Sequence, residues 1–319
     1  MAGAHILVAD WFAPDFEIES NLLRSRGMTW SLPAWSPPPP PAEEQIRQLL
    51  ERIHRAERID AVLFQLAPLT AEVIDALPTS CRHLQRLGIG LDTVDLRAAT
   101  ARGITIANTP DYATEEVAVH AMAMILSLHR QLDATQEYLL AGNWRITPPN
   151  PIRRLSTLTL GLVALGRIGK TLAALMRPMV KEILYTDPAV QSAPQGLRRV
   201  DISNLLQTSD IVSLHCPLLP STSRLINSTS IQLMKRGAVL INVARGGLID
   251  TDVLVDALKQ GRLAGAGLDV YESEVLPADS PLRLLHNVIL TSHTAWYSLE
   301  SVVDCRIQAM DKIMSAISS

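Results

Sequence analysis

Residues 158–187 limit what this chain can fold into more than any other stretch. An apolar run, Leu158-Thr159-Leu160-Gly161-Leu162-Val163, passes straight into Ala164-Leu165-Gly166-Arg167-Ile168-Gly169. A helix-forming stretch covers residues 170–179, and a second apolar run, Ile183-Leu184-Tyr185, ends at Asp187. Strand, small-residue turn, helix, strand and acid, in that order, are the layout of a dinucleotide-binding unit. A turn of small residues lets the backbone approach a pyrophosphate. The following helix N-terminus offers free N–H groups and the positive end of its dipole. Asp187, at the tip of the second strand, can accept hydrogen bonds from both ribose hydroxyls. Its charge repels a 2′-phosphate, so the cofactor expected is NAD rather than NADP. Ala164 stands where the first glycine of G-x-G-x-x-G usually lies, which is tolerable if its φ stays negative. Such a turn can also be only a turn, and the downstream acid is what favours the cofactor.

At 319 residues the chain can bury a sizeable core in one or two domains. With 47% hydrophobic and 19% charged residues it reads as a globular enzyme, not a disordered chain. The net charge of −3 leaves no clustered basic surface of the kind that nucleic acid requires. No apolar run approaches the roughly 18 residues of a membrane span, and the start, MAGAHILVADWF, lacks a basic region before a long apolar stretch. Cys81, Cys216 and Cys305 are far apart and show no metal-ligand spacing. Free thiols in a reducing cytoplasm are expected, with no metal site.

Strand–helix alternation runs along the whole chain. Strands are expected at 5–9, 29–32, 61–66, 84–89 and 104–107, with helices between them, at 43–56 and, capped by Thr70, at 70–77. The run Pro37 to Pro41 reads as a stiff surface loop. Residues 115–130 form a helix that is apolar around most of its circumference and so should be buried. A polar, proline-rich connection at 147–151 leads into the dinucleotide unit. Further strands follow at 211–214, 239–242, 267–270 and 288–290. The fold class expected is therefore α/β: two doubly wound parallel-sheet domains, Rossmann-like and flavodoxin-like, with an active-site cleft between them. Residues 1–105 with 296–319 would be the substrate-binding domain and 106–295 the NAD-binding Rossmann domain. The last helix, 299–317, would return to the first domain, which is otherwise short of covering helices.

Ligands of open α/β sheets bind at the carboxyl ends of strands. Three reactive residues fall there: Arg245 after VLIN, Glu274 after GLDV and His293 after VILTS. Singly, each has a bland explanation: a loop arginine, a solvated glutamate, a helix-capping histidine. Together, downstream of a dinucleotide unit, they form a chemical set. Hydride transfer to a carbonyl carbon needs a proton donor for the oxygen, a task suited to histidine. A carboxylate bonded to an imidazole holds its orientation and favours its charged form. An arginine grips a carboxylate with a planar fork and polarises the neighbouring carbonyl. The trio fits reduction of a 2-oxo acid and the reverse oxidation.

The motifs RLGIGLDTVDL (86–96), ANTPDYATEEVAVHA (107–121), GLVALGRIGK (161–170), SLHCPLLPSTSRLI (213–226), INVARGGLID (241–250), AGLDVYESE (266–274) and SHTAWYS (292–298) resemble those of the D-isomer-specific 2-hydroxyacid dehydrogenases over nearly the whole chain. Within that family TPDYATEEVA, GLDVYESE and HTAWYS look most like the C-terminal-binding-protein branch, which holds bacterial dehydrogenases and an animal co-repressor. The resemblance implies catalytic roles for Arg245, Glu274 and His293. Gly166, Arg167 and Ile168 would meet the pyrophosphate and Asp187 the adenosine ribose. Cys216 and Pro217 would line the adenine side, with Thr222 near the ribose. Val243, Ala244, Arg245, Asp269 and His293 would hold the nicotinamide end. Backbone N–H groups of Leu66 and Ala67 would hold the substrate carboxylate, and Trp296 would wall its pocket. It further implies NAD as cofactor, a small 2-oxo or 2-hydroxy acid as partner, and a homodimer built largely by the cofactor domain, including the helix at 115–130. Val275 and Ser292 stand where prolines are usual, and Val119 where an acid is common. An alternative is an NAD(H)-sensing, co-repressor-like scaffold with weak or no catalysis. A dehydrogenase of phosphite or a phosphonate analogue is a narrower third reading.

Overall fold

The computed structural model describes residues 3–13, 15–33, 40–144, 146–148, 150–190, 192 and 194–318. Pro37, Pro38 and Pro39 of the proline run and Pro149 of the later connection lie outside them. The chain forms two compact units, Met1–Ala113 with Ser298–Ser319, and Thr114–Tyr297. The first holds β1 (His5–Val8), α1 (Glu17–Ser25), β2 (Thr29–Ser31), α2 (Ala42–Arg55), β3 (Ala61–Phe64), α3 (Ala71–Ala76), β4 (His83–Arg86), α4 (Leu96–Ala101) and β5 (Thr105–Ala107). The second holds α5 (Thr114–Arg130), α6 (Leu132–Leu140), β6 (Thr159–Val163), α7 (Arg167–Met176), β7 (Glu182–Thr186), β8 (Leu197–Arg199), α8 (Ile202–Thr208), β9 (Ile211–Leu214), α9 (Ser228–Leu233), β10 (Ala238–Asn242), α10 (Thr251–Lys259), β11 (Leu263–Leu268) and β12 (Val288–Leu290). The last helix, α11 (Leu299–Ser318), belongs to the first unit.

The first unit is a parallel sheet in the order β2-β1-β3-β4-β5. Alternate residues of its central strands serve its two faces, as the two-residue strand period requires. Leu7, Val62 and Phe64 join Leu49, Ile53 and Val73 on one side. Ile6, Val8, Ala61 and Leu63 face the other, where α11 supplies Cys305, Ala309, Met310, Ile313 and Met314. A domain boundary after residue 105 would cut β5, which pairs Thr105 with His83 and Ala107 with Gln85; the units divide instead after Ala113. Thr70 caps α3 by accepting a hydrogen bond from the Val73 N–H at 3.4 Å.

The second unit is a seven-stranded parallel sheet, β12-β11-β10-β9-β6-β7-β8. Counted within the unit, the strand order reverses direction between β6 and β9, which makes the edge above that pair the switch point where such sheets bind ligands. The helix α7 starts at Arg167, three residues before the expected Lys170, because Gly166 is its N-cap. β11 ends at Leu268, paired with Asn242, so Val243 and Asp269 leave the sheet side by side. One expectation is corrected: α5 is not buried around its circumference. Val117, Ala118, Ala121, Met124 and Ile125 form its buried face, while Val119 is 40% exposed. Two elements, α6 and β8, carried no apolar period to reveal them, and neither has a buried residue. Among the described residues no helix is long and apolar enough to cross a membrane.

Candidate active site

The carboxyl edge of the seven-stranded sheet is prepared for an anionic cofactor. Four helices of this unit follow strands: α7, α8, α9 and α10. Asp201, Asn227 and Asp250 cap the last three with side-chain oxygens, whereas α7, of these four, begins without a side-chain cap. Open space lies where a Gly166 side chain would stand. One turn on, a Cβ at Gly169 would lie 2.7 Å from the Ala164 carbonyl oxygen, so only glycine lets helix and strand meet this closely. The residues present thus fit a dinucleotide pyrophosphate. Ala164 itself has φ 76°, which overturns the expectation of a negative φ at this position.

Asp187 closes the cradle. Its carboxylate accepts hydrogen bonds from Leu165 N–H at 2.8 Å, Ala189 N–H at 2.7 Å and Val190 N–H at 3.2 Å. Burial pushes this carboxyl up, but the three N–H groups and the charge of Arg199 outweigh it and hold it below the usual range. Under the turn lies His215, whose Nε2 pairs with the Ser213 hydroxyl at 2.9 Å. Burial lowers His215 to about 4, so it is neutral. Cys216 is a buried thiol pushed up to about 11 by burial. Thr222 donates its hydroxyl to the Pro217 carbonyl at 2.7 Å and accepts the Leu219 N–H at 2.8 Å, which shapes the loop between them.

Three neighbouring strand ends bring the reactive residues out of the same sheet edge. After β10, the fully buried Asn242 folds the loop back: its amide donates to the Arg245 carbonyl at 2.9 Å and accepts from Ala244 N–H at 3.1 Å. Gly246 then presses so tightly on the Tyr271–Glu272 backbone that an added Cβ would fall 1.8 Å from the Tyr271 carbonyl carbon. The loop of Arg245 is thereby seated against the segment that leads to Glu274. After β12, His293 takes a left-handed backbone, φ 56°, and its Nδ1 meets Glu274 Oε2 at 2.7 Å. Both side chains stay about two-fifths open to solvent, at 39% and 40%. Asp269, 1% exposed, holds the histidine loop. Its carboxylate accepts from the Thr291 hydroxyl at 2.5 Å and from the N–H groups of Thr294 at 2.9 Å and Ala295 at 3.0 Å. Tyr271 adds a brace by donating to the Thr291 carbonyl at 2.7 Å. Trp296 is half-buried and packs edge-on against Tyr297, centroids 5.7 Å apart.

One sequence expectation fails in the first unit. The N–H groups of Leu66 and Ala67 do not await an external carboxylate, because Asp10 already occupies them. Its carboxylate accepts from Gln65 N–H at 2.5 Å, Leu66 N–H at 2.5 Å and Ala67 N–H at 2.8 Å. Each N–H has one proton to give, and these are spent. Asn242, Tyr271, Thr291, His215 and Asp10 were all missed from sequence. Their one visible signal was polarity next to an apolar strand run, as in VLIN or HILVAD.

An uncapped helix start behind a small-residue turn, with a histidine–carboxylate pair further along the same sheet edge, defines a dinucleotide-dependent α/β oxidoreductase. Comparison with known proteins is more specific. The family described as D-isomer specific 2-hydroxyacid dehydrogenase, NAD binding domain, matches residues 122–295. A glyoxylate reductase of Korarchaeum cryptofilum (strain OPF8) is 36% identical over 280 residues, covering 85% of this chain and 82% of that protein. The crystal structure of the TT0316 protein from Thermus thermophilus superposes with a TM-score of 0.86 at 32% identity, covering 98% of this chain and 97% of that one. That of D-lactate dehydrogenase from Aquifex aeolicus, complexed with NAD and lactic acid, gives 0.82 at 26% identity, covering 98% and 95%. The chain belongs to the D-isomer-specific 2-hydroxyacid dehydrogenases, and its larger unit is an NAD-binding domain.

Proposed function

We propose that this chain reduces a small 2-oxo acid to its D-2-hydroxy acid, with His293 as proton donor, Glu274 as its orienting partner and Arg245 as the group that grips and polarises the substrate. The observation that carries the reading is the 2.7 Å bond between His293 Nδ1 and Glu274 Oε2. It ties Nδ1 to the carboxylate and leaves Nε2 as the nitrogen that can give a proton to a carbonyl oxygen. NADH, when bound, supplies the hydride. Gly166, Arg167 and Ile168 would receive its pyrophosphate, Asp187 its adenosine ribose, and Val243, Ala244 and Asp269 its nicotinamide end. Cys216, Pro217 and Thr222 would flank the adenosine, and Trp296 the substrate. The carboxylate of Asp187 supports NAD over NADP. Glyoxylate reductase and D-lactate dehydrogenase among the similar proteins support a short 2-oxo acid as substrate. A cofactor-sensing scaffold without chemistry has no use for the His293–Glu274 pair.

The test is a panel of 2-oxo acids with NADH, followed by His293→Ala. We expect NADH consumption with at least one acid. The variant should lose about 10³-fold or more in kcat yet bind NADH with nearly the parent affinity, read by nucleotide fluorescence. Turnover unchanged in the variant would overturn the role of His293.

The same reading includes a homodimer, supported by apolar side chains that α5, α6 and the segment after them leave in solvent: Val119, Leu132, Leu139, Leu140 and Trp144. A reducing cytoplasm is supported by the three cysteines, all of them free thiols.

A further inference from the structure

We propose that His120, on α5, is a positioning residue for this reaction: it fixes the Thr291 hydroxyl, and through it Asp269 and the loop that carries His293. The proposal rests on the reading of His293 as proton donor.

A count of protons fixes the direction of each bond. His120 Nε2 lies 3.1 Å from the Thr291 hydroxyl oxygen. That oxygen lies 2.5 Å from Asp269 Oδ1. At this separation one of the two oxygens must carry the hydrogen between them. Asp269 also accepts N–H bonds from Thr294 on Oδ1 and from Ala295 on Oδ2, as a carboxylate does. An aspartate carboxylate only accepts, so the hydrogen belongs to Thr291, and a hydroxyl has only one to give. Its contact with His120 then requires the imidazole to donate, so Nε2 carries a proton and Thr291 is the acceptor. Asp269 Oδ1 lies 3.8 Å from the same nitrogen.

What this donor holds in place matters for chemistry. The Thr291 N–H donates to the Leu268 carbonyl at 3.0 Å, and the His293 N–H to the Asp269 carbonyl at 2.8 Å. Thr294 and Ala295 donate to the Asp269 carboxylate. These bonds all run to the end of β11, the strand beside β12. His120 adds a point from α5, whose Ala121, Met124 and Ile125 are buried against the same unit. A loop with a left-handed histidine at its centre is thus gripped from a strand and from a helix. Small shifts of such a loop move the imidazole out of line with the substrate, and misplacements of about 1 Å cost roughly 10²-fold in rate.

Three measurements test the proposal. Histidine-selective ¹⁵N spectra should show His120 protonated at Nε2, and the Nδ1–H tautomer would refute the proton count. His120→Leu should lower kcat about tenfold, with the melting temperature near that of the parent. His120→Gln, which can present an N–H from a similar reach, should recover most of that loss. A glutamine variant as slow as the leucine one would count against the donor. In a double-mutant cycle His120→Leu and Thr291→Val should be strongly non-additive, and additive losses would overturn the link. If His120→Leu does not fold, Thr291→Val against Thr291→Ser reads the same hydroxyl, and equal kcat values would overturn it. Failure of any of these with His293→Ala still inactive strikes this proposal alone. An active His293→Ala strikes the parent reading.

Discussion

Ala164 and His293 are two non-glycine residues held in the left-handed region, at φ 76° and 56°, and both border the site. Such backbones cost L-residues about 1 kcal/mol or more. At Ala164 no reacting side chain justifies that cost, so Ala164→Gly should raise stability by about 1 kcal/mol, seen as a higher urea midpoint with an unchanged slope. A lower midpoint would refute the strain. His215 makes a pH prediction. Its folded pKa, about 4, lies below the ordinary histidine value of 6.5. Between those values the unfolded chain binds a proton that the folded one refuses, so stability falls as pH drops from about 6.5 towards 4, by at most ~3 kcal/mol. His215→Asn should flatten that part of a plot of melting temperature against pH. At this scale the reacting groups were legible, because Glu274 and His293 announce their chemistry by type and by place after a strand. The groups that hold them were not. Asp269 is tied to Thr291 and Thr294, and Asp10 to Leu66, and such distant partners leave no local pattern.

Element by element, the regular helices and strands were legible where burial sets the pattern, as a continuous apolar run in β1 and β3 and a helical period in α2. Boundaries moved where a turn residue decides, as at Gly166. Helix α5 shows how composition can mislead. Its sequence is apolar nearly all round, yet Val119 and Ala123 remain in solvent in the single chain. The helix α6 that follows has no buried residue, and Leu139 and Leu140 are 54% and 78% exposed. In the proposed homodimer a second copy of the chain would cover these faces. Light scattering should find a dimer, and Leu140→Glu should shift it towards monomer with NADH affinity retained. A parent protein that is monomeric at high concentration would defeat this reading.

At the scale of the molecule, the two parallel-sheet units were legible in the alternation of elements, and the return of the C-terminal helix followed from the first unit's shortage of cover. The cost of losing α11 can be argued from what it buries. Ala309, Met310 and Ile313 are fully buried, and burial is worth about 1.5–3 kcal/mol for each larger apolar side chain. Arg306 neutralises Glu19, itself 0% exposed, through bonds of 2.8 and 2.7 Å, with a further bond of 2.7 Å to Asp15. Removing residues 299–319 would strand that carboxylate. Amide exchange in β1 and β3 should then approach the unfolded rate, while β6, β9 and β10 keep their protection. Persistent protection in β1 would show that the first unit stands without the helix.

Asp10 also bears on how the first unit meets a ligand. In a doubly wound sheet the gap between β1 and β3 is where a solute usually finds its welcome. Here the protein has furnished that seat with its own side chain, so the Gln65–Ala67 turn keeps its shape with or without a guest.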